Sequence, residues 1–252
     1  MKKVMLLAGM LLALSAVAAN AAGLSLNWDR CASTGRTANK TLACANNLAA
    51  GGTLVGSFDV ATDVLAATGI EFIVDLASAG ATLPQWWVAS CAARFSVNAT
   101  VGANASPSCF DWSGGTAAGG LAAYTTPGPY GPTTARIFGA FAVPPAGVDV
   151  PSIGAIVPGG EYFAFNIVLN AAKTSGLGNC AGCLTPVCLV FNNLKMVAGT
   201  QTAAILNTAQ APGSNSVTWQ GGAGVGSTLG NSCPAATPTR NTTWGSVKSL
   251  YR

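Results

Sequence analysis

The chain has no histidine. That absence excludes the Ser-His-Asp triad, the Cys-His pair, HExxH zinc sites and any imidazole proton shuttle. Charge is scarce as well: 8% of the 252 residues are Asp, Glu, Lys or Arg, against about 25% in average soluble domains. A solvated, disordered polyelectrolyte is excluded, and the surface must be built from Ser, Thr, Asn and Gly. Basic residues never cluster. Outside Lys2 and Lys3 they are Arg30, Arg36, Lys40, Arg94, Arg136, Lys173, Lys195, Arg240, Lys248 and Arg252. So scattered a set gives no counterion-release surface, and nucleic acid and anionic membrane are poor partners. Also missing are a nucleophile elbow, a P-loop and an EF-hand loop.

What is present begins with a leader. Met1-Lys2-Lys3 precedes an apolar run over Val4–Ala19, and Ala19-Asn20-Ala21 supplies small residues at an exit site. A basic start, a short apolar core and an A-x-A exit read as a secretory signal peptide over 1–21. The run is shorter than the roughly 20 residues a spanning helix needs, and no later segment is long and apolar enough. The expectation is an exported chain of bacterial look, secreted to the cell surface, its surroundings or the periplasm, with no membrane span in its mature part.

All eight cysteines follow the leader: Cys31, Cys44, Cys91, Cys109, Cys180, Cys183, Cys188 and Cys233. An even count in an exported chain reads as four disulfides. Loop-closure entropy favours near neighbours, which suggests Cys31–Cys44, Cys91–Cys109, Cys180–Cys183 and Cys188–Cys233. The rival for the last four is Cys180–Cys188 with Cys183–Cys233. Cys180-Ala181-Gly182-Cys183 also has redox spacing, but Leu184-Thr185-Pro186 follows where such a pair needs a helix N-terminus. With Cys188 and Cys233 it would make a four-thiolate zinc set. Export favours oxidation, so no metal and no cofactor is expected.

Strand patterns dominate the body. Leu54, Gly56, Phe58 and Val60 alternate with polar neighbours, as do Ile70, Phe72, Val74 and Leu76, and Ala93, Phe95 and Val97. Over 161–170, Phe163, Phe165, Ile167 and Leu169 fall on one face. Period-2 alternation suits half-buried strands. Further candidates are 24–28, 121–124, 134–143, 187–197 and 216–219, separated by Gly/Pro clusters. The alanine-rich 61–68 reads as a short helix. Nine or ten short strands so spaced predict one antiparallel β-sandwich, all-β, jelly-roll-like and disulfide-bonded, over 22–233.

The carboxylates are Asp29, Asp59, Asp63, Glu71, Asp75, Asp111, Asp149 and Glu161. A glycosidase needs two carboxyls about 5–10 Å apart. Glu71 and Asp75 share a strand face but lie about 13 Å apart along it. Glu71 with Glu161 is a cross-strand alternative. Most carboxylates are expected to be solvated, and the chain is expected not to be an enzyme. Trp86 and Trp87 are adjacent, so on a strand they would point to opposite faces and expose one ring. With Trp112, and Tyr124 and Tyr130 nearby, they form a candidate sugar-stacking platform, set against burial in the core.

Residues 234–252 form a tail. Trp244, Val247, Leu250 and Tyr251 lie on one helical face, suiting a docking or sorting segment. The ending Thr243-Trp244-Gly245-Ser246-Val247-Lys248-Ser249-Leu250-Tyr251-Arg252, with Cys180-Ala181-Gly182-Cys183 and Cys188, resembles a pattern in uncharacterised exported bacterial proteins. The resemblance covers about a tenth of the chain and implies no activity and no site residue. The functional expectation is a non-catalytic exported module, structural or binding, with polysaccharide or another surface protein as partner. Alternatives are an appendage subunit assembled by strand exchange and a secreted carboxylate-dependent hydrolase.

Overall fold

The computed structural model describes residues 22–47, 51–88, 91, 95–98, 109–143, 155–169, 171–199 and 201–222. The expected leader over 1–21, Cys233 and the expected tail with Trp244, Val247, Leu250 and Tyr251 lie outside the described residues.

Two sheets pack face to face. The smaller has the order β1 (Gly23–Trp28), β3 (Gly52–Asp59), β8 (Tyr162–Leu169), β5 (Phe95–Asn98). The larger runs β2 (Asn39–Lys40), β11 (Ser216–Trp219), β9 (Val187–Ala198), β4 (Gly69–Ser78), β7 (Thr134–Ala142), β6 (Ala118–Thr125). β10 (Gln201–Leu206) pairs with β9 as a hairpin. Among the described residues every named pair is antiparallel except β2 with β11. The expected all-β antiparallel sandwich is therefore the fold. No helix among the described residues is long and apolar enough to cross a membrane.

The apolar stripes meet between the sheets. Phe72 of β4 stacks on Phe165 of β8, with ring centroids 4.0 Å apart and planes 17° apart. Each ring lies over a glycine on the neighbouring strand: Phe165 opposite Gly56, and Phe72 opposite Gly139. A Cβ at Gly56 would meet the Phe165 ring at 2.4 Å, and one at Gly139 the Phe72 ring at 2.2 Å. Bare backbone at these two positions lets the rings lie flat on the pleat. Near the other end, Trp28, Trp86, Trp87 and Trp219 pack together. Trp219 stacks on Trp86 at 5.2 Å, and its indole Nε1–H donates to the Cys183 carbonyl at 2.7 Å.

β-Bulges interrupt the simple alternation. Ser57 pairs with Phe163 and Gly56 with Phe165, so Ala164 is the extra residue. Phe163 consequently leaves the main core and joins Cys31, Val55 and Cys109 on the other face, correcting the expectation that it shares a face with Phe165. On β9, Asn192 is extra between Phe191 and Asn193. Leu189 and Phe191 before it, and Leu194 and Met196 after it, thus all face the core. Residues 61–68 are not helical. Val64 exchanges two backbone hydrogen bonds with Ile156, at 2.9 and 3.0 Å.

The disulfide pattern overturns the expected Cys31–Cys44, Cys91–Cys109 and Cys180–Cys183, and the rival Cys180–Cys188 with Cys183–Cys233. Cys31 joins Cys109, Cys44 joins Cys183 and Cys91 joins Cys180. Cys188 is disulfide-bonded too, and the partner expected for it, Cys233, lies outside the described residues. The separations are 78, 139 and 89 residues. Near-neighbour preference fails because closure entropy grows only with the logarithm of loop length. A tenfold longer loop costs about 2 kcal/mol more, which the fold outweighs. With Cys180 and Cys183 bonded elsewhere, neither the C-x-x-C redox pair nor the four-thiolate zinc set is assembled.

Candidate functional site

The aromatic platform expected at Trp86, Trp87 and Trp112 does not exist as an exposed surface. Trp86 and Trp87 are 0% exposed and Trp112 is 2% exposed. Trp86 and Trp87 sit in a 3-10 turn, Gln85–Trp87, rather than on a strand. The turn carries both rings inward, where Trp86 Nε1–H donates to Thr174 Oγ1 at 3.3 Å. Tyr124 is half-buried; its hydroxyl donates to the Trp87 carbonyl, and burial pushes its pKa up. Tyr130 is turned toward Arg136, whose guanidinium lies 5.8 Å from the ring centroid.

Most described carboxylates are engaged in holding the fold. On the outer face of the larger sheet, Glu71 pairs with Lys195 across β4 and β9 at 3.3 Å. Asp75 takes a two-pronged contact from Arg136 at 2.7 and 2.9 Å, plus Asn192 Nδ2–H at 2.7 Å. The bond to Asp75 holds the Arg136 pKa above its ordinary value. Asp29 pairs with Lys40. Glu161 accepts the backbone N–H groups of Ala32 and Ser33, each at 2.8 Å, and the Ser57 hydroxyl. Glu71, on β4, and Glu161, just before β8, thus serve different structural tasks. Asp63 is exposed, and Asp149 lies outside the described residues.

The most site-like corner lies where Glu161 leads into β8. Sulfur and carboxylate atoms of Cys31, Cys109 and Glu161 lie within 4.8 Å of one another. The sulfurs are bonded to each other and the carboxylate caps the 32–34 turn, so this grouping is a structural knot rather than a metal centre. The knot anchors Phe110. Its N–H donates to the Glu161 carbonyl at 2.8 Å, and its carbonyl accepts from Phe163 N–H at 2.9 Å. The Phe110 side chain is nevertheless 62% exposed, against Tyr162 at a centroid distance of 5.7 Å.

Beside Phe110 opens a cleft of about 460 Å³ bounded by residues 110–112, 155–160 and Tyr162. Asp111 stands at its rim. One Asp111 oxygen accepts from Ser113 N–H and Oγ–H, the other from Gly115 N–H. The opposite wall is fixed by Tyr162, whose hydroxyl accepts Val157 N–H at 2.9 Å. Behind it, Asp59 is fully buried and accepts Val60 N–H at 2.8 Å and Gly159 N–H at 3.0 Å. Burial pushes the Asp59 pKa up, opposed by those backbone N–H groups. Sequence reasoning found Trp112 but missed Phe110. The legible signal was Cys109-Phe110-Asp111-Trp112 before Ser113-Gly114-Gly115: an aromatic pinned by a cysteine at the start of a tight turn. Comparison with family models, curated proteins and solved structures returned no match.

Proposed function

We propose that the chain is an exported β-sandwich that acts outside the cytoplasm as a structural or binding module, without catalytic machinery. The observation that carries this reading is how the carboxylates are used. Six of the eight hold turns, strands or ion pairs, and in the example cross-strand pair Glu71 is bonded to Lys195 while Glu161 is bonded to the backbone of Ala32 and Ser33. An acid–base pair for hydrolysis has to converge on one cleft. The three long-range disulfides suit an oxidising compartment. Fractionation of producing cells, with thiol alkylation before and after reduction, tests the location. The expected result is mature protein outside the cytoplasm that alkylates only after reduction. Cytoplasmic protein with free thiols would overturn it, as would polysaccharide hydrolysis abolished by Glu71→Gln.

A second reading, an appendage subunit assembled by strand addition, is favoured by one feature. β6, Ala118-Gly119-Gly120-Leu121-Ala122-Ala123-Tyr124-Thr125, has no charge and no proline, and among the described residues it pairs only with β7. Unguarded edges of this kind template pairing with another chain. Size-exclusion chromatography and electron microscopy of the mature protein decide: a persistent monomer ends this reading.

A further inference from the structure

We propose that the Phe110 cleft binds a neutral sugar ring, with the Phe110 face as its stacking platform. The inference rests on the binding-module reading and moves the platform from the buried tryptophans to a residue the sequence did not single out.

Rigidity comes first. An exposed phenylalanine on a loose loop must be immobilised when it binds, at a cost in entropy. Phe110 is held at both backbone polar groups by Glu161 and Phe163, and its neighbour Cys109 is bonded to Cys31. The backbone that carries the ring is therefore preorganised, and the ring rests on Tyr162 with Phe110 still 62% exposed.

Shape and chemistry follow. The volume falls within the range of small-ligand sites. One wall is apolar, with Val157 44% exposed beside Pro158 and Tyr162. A ring's C–H face needs such a surface, and its hydroxyl edge needs polar partners. Asp111 lines the cleft and supplies the acceptor oxygens.

Charge narrows the ligand. Among the described residues no Lys or Arg lines the cleft, while Asp111 lines it and Asp59 lies behind it. A phosphate, sulfate or uronate would meet like charge with no cation to offset it, so acidic polysaccharides are rejected.

The test is affinity electrophoresis of full-length mature protein in gels containing glucan, xylan or mannan as neutral probes, and alginate or heparin as acidic ones. A neutral polysaccharide should retard the wild type. Phe110→Ala, which removes an exposed ring and spares the core, should weaken that binding at least tenfold, and Phe110→Trp should retain it. Circular dichroism and an unchanged thermal midpoint establish that both variants fold. Retardation only by acidic polymers would overturn the proposal. So would wild-type retardation of Phe110→Ala, although the binding-module reading would then survive on another surface. No retardation at all would likewise overturn it, and with exported, oxidised protein would leave a structural role. Cytoplasmic, reduced protein would instead remove the reading on which the proposal stands.

Discussion

At the scale of single residues, space and solvation decide what each position tolerates. Gly56 and Gly139 are constrained by volume, since a methyl at either meets an aromatic ring closer than real Cβ atoms approach one. Those rings stack on each other across the core, so neither is free to swing away. Gly56→Ala and Gly139→Ala should each destabilise by about 1–3 kcal/mol, the usual cost of overpacking, measured by urea unfolding. Substitution at Gly114 or Gly115, where a Cβ meets no atom within 4 Å, lacks that cost, although positive φ strains it. Asp59 is constrained by solvation. Its folded-state pKa is raised by burial above the ordinary 3.8. The folded state therefore holds the Asp59 proton to higher pH than the unfolded chain does. The contribution favouring the fold is complete below 3.8 and is lost as pH rises through the folded value. Wild type should accordingly lose stability relative to Asp59→Asn as pH climbs from about 3 toward neutrality. The slope of that difference is the measurement; a flat difference would show that Asp59 does not titrate abnormally.

Strand positions were legible in the sequence wherever alternation was backed by large side chains. β1, β3, β4, β7, β8, β9 and β11 fall within a few residues of where the pattern puts them. The failures have physical causes. β2 is two residues long, too short for any period. On β10 the residues that pack inward are Ala204 and Leu206, while Ile205 between them is 58% exposed, so apolar residues fall on both faces and no alternation shows. The bulge residues Ala164 and Asn192 shift the alternation by one, and nothing in a period-2 pattern announces a two-against-one pairing. β6 raises a different question, because its small uncharged residues mark an edge without guarding it. A lysine there blocks edge-to-edge pairing by placing charge where a second strand must approach. If mature protein self-associates through β6, Leu121→Lys, at a site 43% exposed, should raise the dissociation constant at least tenfold with no change in thermal stability. Analytical ultracentrifugation reads the first and calorimetry the second; association unaltered by the lysine assigns the contact elsewhere.

For the whole molecule, the candidate site was less legible than the fold because it is made by closure rather than by a motif. Cys31, Phe110 and Glu161 are far apart in sequence, and only the Cys31–Cys109 bond with the Glu161 cap brings them to one corner. The same long closures dominate stability. A sandwich with most contacts between distant segments loses much chain entropy on folding, and cross-links spanning 78 to 139 residues remove part of that loss from the unfolded side. Each is worth roughly 2–5 kcal/mol, against a total of about 5–15 kcal/mol for an ordinary domain. Full reduction should therefore unfold the protein or leave it marginal near body temperature, seen as loss of near-ultraviolet circular dichroism. The bonds should not be equivalent in effect. Cys44–Cys183 and Cys91–Cys180 tie down segments around the tryptophan cluster, since Trp219 donates to Cys183 and Trp86 N–H to the Ala181 carbonyl at 2.9 Å. Removing either pair should disturb tryptophan fluorescence as well as stability. Cys31→Ala with Cys109→Ala loosens the corner that carries Phe110. Its loss of about 2–5 kcal/mol should come with weakened ligand retention, and its change in tryptophan emission should be confined to Trp112 and vanish in a Trp112→Phe background. Equal spectral changes from all three pairs would show that the sandwich loosens as one body and that the Phe110 corner has no separate anchor.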